Sequence, residues 1–169
     1  MKGGALKTAF VALGLAVGCF GRTVAAEWIR PESTRANAAF VVRREFDLGY
    51  DITHLFKAEL SVSAAGIAVW RLNGHRIGDD RYEPAVSYYE RRLFIRKYDV
   101  TPLLQDHNVL EAEVGGGWWE QNLAWACENG GQGLSYGAPA VWGMLVCTDR
   151  CNLGQSVIRT DATWTARPS

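Results

Sequence analysis

Three acidic side chains, Asp79, Asp80 and Glu83, stand within five positions of one another, and Tyr82, Tyr88 and Tyr89 share the same stretch. A second group, Gly115-Gly116-Gly117-Trp118-Trp119, sets two indoles behind a glycine run, with Trp125 following shortly after. Paired carboxylates suit glycoside chemistry: inverting hydrolysis needs one protonated and one ionised carboxyl about 6.5–9.5 Å apart across the sugar. Acids this close in an exposed stretch more often form turns or stay solvated, so no catalytic residue is assigned. His54, His75 and His107 give no Ser-His-Asp order, and no phosphate-cradling glycine loop opens a helix. Sugar binding asks for less, namely aromatic faces to stack on a ring and a few polar groups to orient hydroxyls. The two stretches supply both, which makes Asp79, Asp80, Tyr82, Glu83, Tyr88, Trp118 and Trp119 the candidate ligand-binding residues, expected to converge at one rim of the fold. Neighbours in a strand-like segment point to opposite faces, so Trp118 is expected in the core and Trp119 toward ligand.

Something must position these loops. The chain has 169 residues, 18 basic against 18 acidic, 48% hydrophobic and 21% charged, which excludes a disordered chain, a collagen-like repeat and a strongly basic nucleic-acid binder. Residues 1–26 read as a signal peptide: Lys2 and Lys7 precede an apolar run from Ala9 to Cys19, and Val24-Ala25-Ala26 gives a small-residue exit before Glu27. The run falls short of the roughly 20 residues of a membrane-spanning helix. The expectation is an exported chain, periplasmic or secreted, with a lipid anchor at Cys19 as the alternative because Ala16-Val17-Gly18-Cys19 has the small residues of a lipobox. Removing residues 1–26 takes away Lys2, Lys7 and Arg22 but no acid, leaving a mildly acidic chain to which polyanions are poor partners. Cys127, Cys147 and Cys151 remain, an odd number, and their pairing stays open between a Cys147–Cys151 bridge, capture of Cys127 and free thiols.

Residues 27–38 contain Pro31, Ser33, Thr34 and Asn37 without periodicity and read as a linker, with the ordered domain over 39–169. Period-two alternation predicts strands over 40–46, 57–64 and 108–114, with others over 91–100, 138–147, 156–160 and 162–166. In the second of these, Ala58, Leu60, Val62 and Ala64 face inward while Glu59, Ser61 and Ser63 face water. Asn73-Gly74 predicts a type I′ hairpin within 66–77. Thr101-Pro102-Leu103-Leu104 predicts a short helical plug with Thr101 as its cap. Residues 79–89 and 118–137 are long loops, where binding functions concentrate. Many short strands and almost no helix give an all-β fold, a single antiparallel β-sandwich. Arg91, Arg92, Arg96 and Lys97 read as the solvated edge of a strand.

The run Lys57 to Glu120 resembles the N-terminal accessory domain of bacterial alpha-L-rhamnosidases, inverting glycoside hydrolases. The resemblance rests on Leu72-Asn73-Gly74-His75-Arg76-Ile77-Gly78-Asp79, on Pro84 with Tyr88 or Tyr89 and Arg91-Arg92, on Tyr98-Asp99-Val100-Thr101-Pro102-Leu103-Leu104, on Asn108-Val109-Leu110, and on Gly115 to Trp119. Thr160-Asp161-Ala162-Thr163-Trp164 looks like the place where that domain closes. The likeness implies a jelly-roll sandwich of the galactose-binding type. It implies a non-catalytic domain that binds carbohydrate or recognises substrate, taking a rhamnose-containing glycan or glycoside. The alternative is a structural docking module, a truncated or split piece of a longer enzyme with a catalytic glycosidase domain as partner. Members of the family continue into further sandwich domains and a helical barrel that carries the catalytic acids, beyond the span of this sequence. Related rhamnose-binding domains hold the sugar through calcium, which makes Asp79 and Asp80 weak candidates for metal ligands.

Overall fold

Along His107–Gly115, Asn108, Leu110, Ala112 and Val114 are buried while their neighbours are partly exposed, the two-residue period of a strand with one face on a core. The structure, a computed structural model, describes residues 6–9, 25–32, 38–120, 136–150 and 154–169. Among these the strands are β1 (Leu6–Ala9), β2 (Trp28–Pro31), β3 (Phe40–Asp47), β4 (Leu55–Ala65), β5 (Ile67–Leu72), β6 (His75–Arg76), β7 (Arg96–Asp99), β8 (His107–Gly115), β9 (Ala140–Asp149), β10 (Gln155–Arg159) and β11 (Thr165–Pro168). They form two antiparallel sheets. One runs β1-β2-β9-β4-β7, with β10 also on β9; the other runs β11-β3-β8-β5-β6. This is the expected β-sandwich.

The core lies between the sheets and includes Phe40, Val42, Leu60, Leu72, Leu110, Val114, Val141 and Leu145. Each such side chain contributes roughly 1.5–3 kcal/mol on leaving water. Trp70 of β5 reaches across to β9, where Gly143 makes room: a Cβ there would lie 2.7 Å from the indole. Trp164 meets Trp70 edge to face, with centroids 6.3 Å apart, and donates from Nε1 to the Arg159 carbonyl at 2.8 Å.

The Asn73-Gly74 hairpin forms as expected, with φ of 52° and 81° and Leu72 opposite His75. Three expectations shift. Ser61 and Ser63 are buried rather than solvated; Ser63 Oγ donates to the Phe94 carbonyl at 2.8 Å, which folds the approach to β7 over that residue. Of residues 91–100 only Arg96–Asp99 pair as a strand. The plug is a 3-10 turn over Thr101–Leu103, with Val100 at the cap position. Thr101 is the first residue of the turn, and its hydroxyl is engaged elsewhere, accepting from the Ala58 amide at 2.8 Å while the Asp99 carboxylate takes the hydrogen bonds of the Thr101 amide and hydroxyl.

Trp28–Pro31 lies in the stretch expected to be a linker, yet Ile29 is fully buried and pairs with Val141; four residues ending in proline are too short a run for alternation to register. Leu6–Ala9, within the stretch read as a signal peptide, pairs with Trp28–Pro31. The last strand covers Thr165–Pro168, since Asp161 turns the chain first by accepting from the Thr163 amide and hydroxyl. Cys147 is a free thiol buried in the core rather than half of a hairpin bridge. Cys19, Trp125, Cys127 and Cys151 lie outside the described residues.

Candidate functional site

The connection from β6 to β7 carries the predicted acids, and three contacts fasten it to the sheets. The Ala68 amide of β5 donates to the Glu83 carbonyl at 2.8 Å. Arg76 Nη2 donates to the Asp80 carbonyl. Arg96, the first residue of β7, forks between two acids, with Nη2 2.8 Å from Asp80 Oδ2 and Nε 3.3 Å from Glu83 Oε2. Tyr98, two residues on and therefore on the same face of the strand, donates to Asp80 Oδ2 at 3.3 Å. Gly78 sits at φ +72° directly against that ring, where a Cβ would lie 2.6 Å from Tyr98 Cε1. Only glycine lets the chain pass here without moving the tyrosine.

The hydrogen bond from Arg96 holds the Asp80 carboxyl below the usual aspartate range, and the same contact raises Arg96. Burial pushes the Tyr98 hydroxyl up. Together with Trp70, Arg76 and Glu83, these side chains line a cavity of about 20 Å³. That is room for roughly one water.

The aromatic residues gather next to this cluster. Gly117–Glu120 is one helical turn, which places Trp119 against Tyr89 (centroids 5.2 Å) and Tyr136 (5.3 Å), with Tyr89 and Tyr136 also 5.3 Å apart. The two long loops therefore meet, as expected. The beginning of β5 joins the two groups: Ile67 lies against Gly117, and Ala68 holds Glu83. On the outside, Trp118 is 45% exposed and Tyr88 54%, and the Arg91 guanidinium lies 5.8 Å from the Tyr88 ring centre.

The roles expected of the tryptophans are thus exchanged. Trp118 faces solvent and Trp119 is packed, because the segment turns helically instead of running as a strand, and the opposite-faces rule fails. Asp80 and Glu83 come together on Arg96, while Asp79 and Tyr82 are exposed, Tyr82 at 73% with φ +59°. Sequence reasoning did not name Arg96 and Tyr98 as site residues; Arg96 is, as expected, an exposed charge on the edge strand β7, and it also pairs with the two acids. The i, i+2 spacing of Arg96 and Tyr98 is the signal that places both on one face opposite the acids.

A calcium ion fits these residues poorly. The cation between Asp80 and Glu83 is the Arg96 guanidinium, whereas calcium takes six to eight oxygens. Among the described residues no three His, Cys, Asp or Glu side chains gather to hold a metal.

The model of the alpha-L-rhamnosidase N-terminal domain matches residues 49–169. The chain belongs to this family. An alpha-L-rhamnosidase of Formosa agariphila is 28% identical over 129 residues, covering 75% of this chain and 13% of that enzyme. Among solved structures, the Streptomyces avermitilis alpha-L-rhamnosidase complexed with L-rhamnose is 28% identical with a TM-score of 0.68, over 78% of this chain and 12% of that one. The native Aspergillus terreus enzyme is 27% identical with a TM-score of 0.71, over 85% and 16%. This alpha-L-rhamnosidase N-terminal domain is an accessory domain of the enzyme, and it spans about an eighth of the length of the Formosa and Streptomyces proteins it matches.

Proposed function

We propose that this domain recognises carbohydrate without cleaving it, holding a rhamnose-containing glycan or glycoside on the rim where the two long loops meet. The observation that carries the reading is the Tyr89–Trp119–Tyr136 cluster, which anchors the chain neighbours of exposed Tyr88 and Trp118, while the start of β5 ties the Trp119 turn, through Ile67, and the Glu83 loop, through Ala68, to one end of the same strand. Stacking faces and fixed polar groups then share one rim, as saccharide recognition requires. Support for a non-catalytic role comes from the charges. A glycosidase acid must keep its proton near neutral pH, yet Asp51, Glu59, Asp80, Asp99 and Glu113 are all displaced toward ionisation, and Asp80 and Glu83 share one arginine. The test is a titration of L-rhamnose, and of a rhamnosylated glycan, into the domain with and without calcium, read by tryptophan fluorescence. A saturable change in calcium-free buffer is expected; a flat response at millimolar sugar in both buffers rejects the reading.

A second reading is favoured by the aliphatic and aromatic residues on the same connection. Val86, Phe94 and Ile95 are 58%, 41% and 52% exposed. Side chains of this kind suit a protein surface better than a sugar, and the partner would be the catalytic domain of an alpha-L-rhamnosidase. Under this reading Val86→Ser with Ile95→Ser abolishes co-sedimentation with that catalytic domain and leaves the sugar titration unchanged.

A further inference from the structure

The peptide bond between Ala26 and Glu27 has both of its polar atoms held by the sandwich. The Ala26 carbonyl accepts from Trp142 Nε1 at 3.1 Å, and the Glu27 amide donates to the Thr160 carbonyl at 2.8 Å. The next carbonyl, that of Glu27, accepts from Thr160 Oγ1 at 2.6 Å. Thr160 is fully buried, and its Oγ1 also accepts from the Gly143 amide at 3.1 Å. Two residues on, Ile29 is fully buried against β9. Contacts to the sandwich thus flank the bond that follows the small-residue exit Val24-Ala25-Ala26.

We propose that Ala26–Glu27 is the processing site of the exported chain and that Thr160 is the receptor for the mature N-terminus. Hydrolysis adds one water across the bond: Ala26 leaves as a carboxylate with the leader, and Glu27 gains an α-amino group that is protonated at neutral pH. That ammonium keeps the bond to the Thr160 carbonyl, now charge-assisted, and the Glu27 carbonyl keeps Thr160 Oγ1. A processing peptidase reads its substrate as an extended strand through these same backbone groups, so cleavage comes before this strand docks on β9. A chain that folds first with its leader attached is protected, because cutting then requires the strand to peel away locally. The inference rests on the export expectation and is independent of sugar binding.

Two measurements test it. Intact-mass analysis of the chain exported from a bacterial host is expected to give a protein beginning at Glu27. A lipid-bearing chain beginning at Cys19, a different first residue, or an unprocessed chain overturns the proposal. Separately, the full chain is folded with its leader and incubated with purified leader peptidase, beside a synthetic peptide of residues 1–32. The folded chain is expected to be cut at least tenfold more slowly than the peptide, and Thr160→Val to regain roughly five- to tenfold by loss of hydrogen bonds to the strand. Trp142→Phe removes only the indole donor and serves where Thr160→Val fails to fold; it is expected to speed cutting in the same direction. Equal rates for folded chain and peptide, or a folded variant cut no faster than the wild-type chain, overturn the protective role of the strand.

Discussion

Asn73 Nδ2 stands 3.0 Å from Asn108 Oδ1, joining the β5–β6 hairpin turn to the start of β8. Asn73 also donates to the Leu103 carbonyl and accepts from the Val109 amide, both at 2.8 Å. Asn108, fully buried, accepts from the Gln105 amide at 2.9 Å and donates to its carbonyl at 2.6 Å. These two amides tie the hairpin turn to the start of β8 and to the turn before it, beside the backbone bond from the Asn73 amide to the Val109 carbonyl at 2.8 Å. Asn108→Ala leaves the Gln105 groups and one Asn73 proton without partners, and such buried losses cost about 1–3 kcal/mol per group, or about 2–4 kcal/mol for the site. A lower urea midpoint with an unchanged slope is expected. Asn108→Asp keeps the acceptor but sets a buried carboxylate oxygen against the Gln105 carbonyl, so at neutral pH it is expected to cost at least as much as Asn108→Ala; a midpoint equal to wild type in both variants refutes the network's structural role.

Arg96 sets the pH behaviour of the candidate site. Its hydrogen bond lowers Asp80, so the folded-state carboxyl binds its proton less readily than the unfolded one. Linkage then makes the contribution of this contact complete above the ordinary aspartate pKa and progressively lost as pH falls through the lowered folded value. The connection from β6 to β7 is expected to hold at neutral pH and to loosen in acid below about pH 4. Carboxyl NMR of Asp80 checks this directly, with a titration midpoint below that of an unstructured aspartate. Arg96→Lys keeps the charge but loses the fork that spans two acids. It is expected to move the Asp80 midpoint upward and expose residues 85–95 to proteolysis, with no measurable change in the global unfolding midpoint because the pair is solvent-screened.

The layers of this domain were legible because alternation reports burial wherever one face of a strand meets water. β3, β8 and β9 follow the apolar pattern, and Asn73-Gly74 announces its own turn. Ser63 misled for a physical reason: the approach to β7 folds over it, and a cover is invisible to a period-two reading. The meeting of the Trp119 and Tyr89 loops could be anticipated from two aromatic-rich stretches at strand ends. Which tryptophan would face solvent could not, since a single helical turn over Gly117–Glu120 changes the side-chain direction by about 100° per residue in place of 180°. Arg96 was hidden for a similar reason. Its partners come from a loop 13 and 16 positions earlier, and since the charge stays exposed on its edge strand, no local pattern announces that the loop folds back to meet it.

The exchanged tryptophans give a clean discrimination. Trp119 shares its faces with Tyr89 and Tyr136, so Trp119→Ala removes an anchor of both loops and is expected to cost roughly 2–4 kcal/mol, toward the lower part of the core range because the site is half-buried. Trp118→Ala and Tyr88→Ala remove exposed rings and are expected to change stability by less than about 0.5 kcal/mol. If the rim binds saccharide, each of the two exposed variants weakens the response to L-rhamnose about five- to twentyfold by loss of one stacking face. A sugar response that survives the Tyr88→Ala, Trp118→Ala double variant moves the site elsewhere on the domain.

Cys147 couples the core to alkaline pH. It lies in β9 with no exposed surface, and burial pushes its thiol up to about 12. The unfolded thiol ionises near 8.5, so above that pH the unfolded state releases a proton that the folded state retains. Stability from this residue is therefore intact at neutral pH and declines as pH rises from about 8.5 toward the folded value, by at most about 1.4 kcal/mol per pH unit. Tyr50, whose hydroxyl is raised mainly by burial and further by Cys147 and Asp149, acts in the same direction; comparison with Cys147→Ala isolates the thiol to first order. At pH 7 the alanine variant is expected to be less stable by about 1 kcal/mol, from a small cavity. By pH 10 that difference is expected to shrink by about 2 kcal/mol and change sign. Urea unfolding of both proteins under reducing conditions, with Cys19, Cys127 and Cys151 replaced by serine, measures it, and a difference that stays constant from pH 7 to pH 10 shows the thiol to be ionising in the folded domain.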